Sequence, residues 1–240
     1  MAKARIKNPL KSILGLNEKL AAIGVMLSAE SLSTREIESV DIEETLADVA
    51  VALGRAQVNA NLRLFAPVLS WIEEHGSAVI VEKLTKIILR RREDGADVQC
   101  AALFGKFALS KGHKRWSAIV EKIAPKSGSP EVFGPTDLAE SLLILRGEED
   151  WARGSGFRVP KGSAVTHSKW TLSRAVLAKR NRQYRNRLIY GAQWRADIVT
   201  AYERGARTPA EASRMSGASY EPCYRVKAEL DAAGVEFAVG

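Results

Sequence analysis

Between Ile42 and Arg92 the apolar residues recur every three or four positions, a spacing that confines the chain to helices packed along one stripe. Leu46, Val49, Ala50, Leu53, Ala56 and Ala60 form the first such stripe, in a segment running from Ile42 to Phe65. It is expected to stop at Pro67, which cannot continue a helical hydrogen-bond ladder. Ile80, Leu84, Ile87 and Ile88 form the next, over Val79–Arg92, with Arg90, Arg91 and Arg92 complementing the helix dipole at its end. Asp97 reads as the cap of a helix through Ala101, Leu103, Phe104 and Phe107, closed by Gly112, and Trp116, Ile119, Val120 and Ile123 make one more. Residues 1–125 therefore read as a helical domain for dimerisation or for binding a protein partner.

The segment Pro125–Pro135 (PKSGSPEVFGP) breaks this rhythm and reads as a linker or surface loop. Thr136 then opens a helix through Leu138, Leu142 and Leu145, and Ser168 a long basic one with Trp170, Ala175, Val176, Tyr184, Leu188 and Ile189 as its apolar members. Residues 126–193 are thus a linker and basic helical region. Charge is sorted unevenly here. The chain has 36 Lys and Arg against 28 Asp and Glu, a net +8, yet from Arg153 to Arg195 there are eleven cations and no carboxylate. Such a block calls for a polyanionic partner.

From Trp194 the start and stop signals crowd together. A helix through Ile198, Val199, Ala201 and Tyr202 ends at Gly205. Thr208-Pro209-Ala210-Glu211 combines a capping hydroxyl, a proline suited to the first helical position and a capping-box glutamate. That helix ends near Ser216-Gly217; Ser219 is expected to cap a third, with Cys223, Val226, Leu230 and Ala233 facing inward and Gly234 stopping it. Two short helices around a glycine turn are the elements of a helix-turn-helix.

Residues 194–239 resemble the winged-helix family of bacterial transcription regulators, carried by Thr208, Ala212 and Gly217 around the turn and by Ser219, Leu230, Ala233, Gly234 and Val235 beyond it. The resemblance implies a winged-helix-like DNA-binding domain over 194–240, with Tyr220–Asp231 as recognition helix. One departure is visible: the six residues after Gly234 give room for one strand, Val235–Val239, pairing with Ala206–Thr208, instead of a two-stranded wing.

On this reading Tyr220, Glu221, Tyr224 and Arg225 read base edges, and Lys169, Arg174, Lys179, Arg180, Arg182, Arg185, Arg187, Arg195 and Lys227 neutralise phosphates. Trp170, Tyr184, Tyr190 and Trp194 are expected to pack rather than stack on bases. Enzyme signatures are scarce. His75, His113 and His167 lack helix-spaced partners, and phosphate-loop, dinucleotide and nucleophile-elbow motifs are missing. Glu43-Glu44, Glu73-Glu74 and Glu148-Glu149-Asp150 read as solvated charges. Cys100 and Cys223 are too few for a disulfide framework or zinc site and read as small buried side chains.

The expectation is a mainly α, non-catalytic, sequence-specific DNA-binding protein without metal or cofactor, regulating transcription as a homodimer on double-stranded DNA. A cytoplasmic, nucleoid-associated location follows from the lack of a signal peptide or membrane span. The alternatives are an antitoxin or phage-type protein-interaction factor, and an RNA or single-strand binder using the Arg-rich helix 179–187.

Overall fold

In the computed structural model, residues 15–27, 32–54 and 61–235 are described. The protein is mainly helical and divides into two compact units, Met1–Arg174 and Ala175–Gly240. No helix among the described residues is long and apolar enough to cross a membrane.

The first unit contains α1 (Leu16–Ala22), α2 (Thr34–Ser39), α3 (Ile42–Ala52), α4 (Phe65–His75), α5 (Val81–Glu93), α6 (Cys100–Ser110), α7 (Ser117–Ile123) and α8 (Thr136–Arg146). Trp71 and Trp116 are among its largest fully buried side chains. Each indole N–H finds a carbonyl, Trp71 donating to Ile23 and Trp116 to Gly76 at 3.0 Å. Two-residue strands, β1 (Glu131–Val132) and β2 (Phe157–Arg158), pair in parallel. They bring Phe133 against Phe65 and Phe157, with ring centroids 4.5 and 5.4 Å apart.

Local chemistry sets the helix starts. Ser33 and Glu36 form a capping box on α2, and the Asp41 carboxylate accepts from the Glu43 and Glu44 N–H groups at the start of α3. Asp97 accepts from Gln99 N just before α6. Two expectations fail here. The stripe from Ile42 does not run on to Phe65: α3 ends at Ala52, and Pro67 lies in the first turn of α4. A proline is tolerated there because the first N–H groups of a helix have no partner to lose. Ala56 and Ala60 lie outside the described residues. In α8 the buried residues are Ala139 and Leu143, while Leu138 and Leu145 are exposed and Leu142 half-buried. The helix begins at Thr136 as expected, but its leucines lie at the rim of the core: Leu138 and Leu142 line a cavity with Phe65 and Phe133, and Leu145 is exposed.

The second unit begins within α9 (Arg174–Arg180) and continues with α10 (Arg182–Tyr190), α11 (Trp194–Glu203), α12 (Pro209–Ser216) and α13 (Tyr220–Ala232). The long basic helix expected from Ser168 is therefore several pieces. Asn181 separates α9 from α10 because its backbone is extended and its side-chain oxygen accepts from Tyr184 N at 2.9 Å, capping a new helix. Tyr184 is buried, but the apolar members Val176, Leu188 and Ile189 are exposed. Of the strand expected over Val235–Val239, only Val235 is among the described residues.

Candidate nucleic-acid interface

Helices α11, α12 and α13 share one small core made by Ile198, Val199, Ala201, Tyr202, Ala206, Ala212, Ala218, Cys223, Val226 and Leu230, with Trp194 against its edge. The signals that begin and end α12 operate as read. Thr208 and Glu211 close a capping box, Pro209 occupies the first turn, and Gly217 ends the helix in the left-handed region at φ 77°. The backbone N–H groups of Arg207 and Thr208 hold the Glu211 carboxyl below its ordinary pKa. Two serines fix the turn into α13. Ser213 Oγ donates to Ala218 O at 2.7 Å, and Ser216 Oγ accepts from Ala218 N at 3.2 Å. The buried Tyr202 hydroxyl donates to Cys223 O at 2.9 Å and ties α11 to α13; burial pushes its pKa to about 12.

The helix α13 buries Cys223, Val226 and Leu230 and presents Tyr220, Glu221, Tyr224 and Arg225 to solvent. The tyrosine rings stack at 6.5 Å, and Arg225 pairs with Glu221 one turn back at 3.3 Å. Two details differ from expectation. Ser219 stands at the cap position without a side-chain cap bond, and Ala233, just past the last helical residue Ala232, is exposed instead of facing inward. Gly234 follows in the left-handed region.

The cations divide sharply. Arg187 is not available to a phosphate. Its side chain is 0% exposed and grips Asp197, 2% exposed, through two bonds of 2.9 Å. Gln183 donates to the same carboxylate, and Asn186 to Thr200 and Glu203. Arg185 pairs with Glu203 at 2.9 Å, and Arg182 donates to the Glu203 carbonyl. Arg195 pairs with Glu229, and Lys227 with Asp231. Arg174 pairs with Glu74 at 3.1 Å, and Lys169 lies over the Trp170 ring at 5.4 Å. Lys179 and Arg180 remain without a carboxylate partner among the described residues. The sequence reading missed Arg207, exposed before α12, and Arg214, exposed in its last turn, because they lie outside the carboxylate-free stretch.

Among the carboxylate pairs, one member departs from the expected solvated charge. Glu43 is buried, accepts from Ile80 N at 2.9 Å and lies 3.5 Å from Lys83 Nζ. Glu73 holds Lys111, Glu148 lies by Arg158 and Asp150 holds Arg153. A cleft of about 520 Å³ in the first unit owes its walls to similar pairs: Arg90 and Arg91 with Glu44, and Arg91 and Lys19 with Asp48. His75 lies 3.0 Å from the Thr171 hydroxyl, an arrangement that could suggest an activated nucleophile. The same Nε2 is 2.9 Å from Leu172 O, which only accepts, so that nitrogen carries the proton and cannot act as a base toward Thr171. Cys100 and Cys223 are buried, and burial raises both thiols above their ordinary pKa. No family model matches the chain, and neither a curated protein nor a solved structure is similar to it.

Proposed function

We propose that the protein binds duplex DNA through the helix-turn-helix of α12 and α13, as a non-catalytic, sequence-specific regulator, with α13 entering the major groove. The observation that carries this reading is the N-terminal half of α13. Its base-reading candidates Tyr220, Glu221, Tyr224 and Arg225 face solvent, while the opposite face holds the helix to α11 and α12. In this class of motif the first turns of the second helix meet base edges and the preceding helix crosses the backbone. The Glu221–Arg225 pair does not oppose it. An exposed pair one helical turn apart is worth about 0.3–0.5 kcal/mol, against about 1–3 kcal/mol for an arginine bridging both acceptors of a guanine. A winged-helix-like architecture and a homodimer on a two-fold operator belong to the same proposal.

The experiment is a mobility-shift assay of the full chain with random duplex DNA, random single-stranded DNA and structured RNA, followed by sequence selection on the duplex. Duplex should bind best, and selection should return a defined site. Preference for single strands or RNA, or selection that returns no site, overturns the reading.

A further inference from the structure

We infer that Arg207, just before the cap of α12, and Arg214, in its last turn, are phosphate-backbone anchors for duplex DNA; the inference rests on the helix-turn-helix reading above. Both side chains are exposed, and neither guanidinium bonds a carboxylate among the described residues. Glu211 lies between them in the chain, in the first turn of α12, while Arg207 precedes the capping Thr208 and Arg214 stands in the last turn. Its carboxylate accepts from the backbone N–H groups of Arg207 and Thr208 at 2.8 and 3.2 Å and caps the helix; it attracts both arginines through space, but neither guanidinium forms a salt bridge with it. This distinguishes Arg207 and Arg214 from Arg185, Arg187 and Arg195, each of which grips a carboxylate of α11 or α13. A paired cation must release its partner before it meets a phosphate; these two need not. The guanidinium fork suits phosphate oxygens, and a helix lying across the backbone brings its exposed cations to successive phosphates.

The test measures duplex affinity of the full chain across a salt series. Each lost phosphate contact removes about 0.9 from the slope of log affinity against log salt, so Arg207→Ala with Arg214→Ala should flatten it by about 2. The selected sequence should not change, because phosphates carry no sequence information. Arg185→Ala should leave the slope within error. The doubly lysine-substituted chain, which keeps the charges, should keep the slope. If the wild type binds duplex while the alanine pair leaves slope and affinity unaltered, the anchors are elsewhere and the helix-turn-helix reading survives. If the lysine pair loses binding as fully as the alanine pair, the residues act through folding and the assignment falls. A wild type that binds no duplex at low salt overturns both.

Discussion

Arg185 and Arg187 stand two positions apart on α10, yet one reaches solvent and the other does not. The contact of Arg187 with Asp197 is sealed from water, so Arg187→Ala strands a buried carboxylate and should cost about 3–5 kcal/mol in urea unfolding. Arg185→Ala removes a half-exposed pair and should cost less than about 1 kcal/mol. Arg225→Ala leaves no cavity; it should leave thermal melting unchanged and, on the proposed function, relax discrimination at one or two base pairs by about 1–3 kcal/mol. An early-melting Arg225→Ala that keeps its sequence preference would count against the orientation of α13. His75 gives a test by pH. Burial pushes its pKa down from the ordinary 6.5 to about 4, helped by nearby Arg174 and opposed by the Leu172 carbonyl. The unfolded chain then binds the extra proton between those values. Its stabilising effect is complete above about pH 6.5 and declines as pH falls toward 4, by about 1.4 kcal/mol per unit. Urea titrations at pH 7, 6 and 5 should reveal the slope, and His75→Gln should remove it. Neither role was visible in the sequence, because an isolated arginine or histidine looks alike whether its partner is water or a buried carbonyl.

At the level of elements, α12 was fully legible and α10 was not. The capping threonine, the first-turn proline, the returning glutamate and the left-handed glycine all act within a few residues of one another, so the sequence alone contains both halves of each interaction. Gly217→Ala tests the last. A Cβ there would meet nothing nearer than Trp194 Cζ3 at 3.8 Å, so the cost is backbone strain, about 1–2 kcal/mol, visible as earlier melting. Thr208→Ala should cost about 1 kcal/mol through the unsatisfied N–H of Glu211. By contrast, α10 buries Gln183, Asn186 and Arg187 and exposes Leu188, Ile189 and Tyr190. An apolar-stripe reading inverts such a helix, since its polar face is accepted only because Asp197, Thr200 and Glu203 supply matching groups from α11. Pro67 went astray for a related reason: a proline ends one helix or begins the next, and only the position of its neighbours decides which.

For the whole molecule, the carboxylate-free block from Arg153 to Arg195 was real in the sequence but survives only in part as uncompensated charge in space. Six of its eleven cations pair with carboxylates drawn from outside it: Arg153, Arg158, Arg174, Arg185, Arg187 and Arg195. A linear count cannot register this, because folding brings together charges far apart in the chain. If duplex binding runs through Lys179, Arg180, Arg207 and Arg214 alone, the log–log salt slope should be about −3 to −4. A slope near −9 would require the internal pairs to open on binding. The same pairing bears on dissection of the protein. A peptide cut from 153–195 would leave those carboxylates behind and become a bare polycation, adhering to any nucleic acid offered. Mapping by fragments would then assign to this segment the affinity of eleven bare cations, six of which the intact fold has already paired.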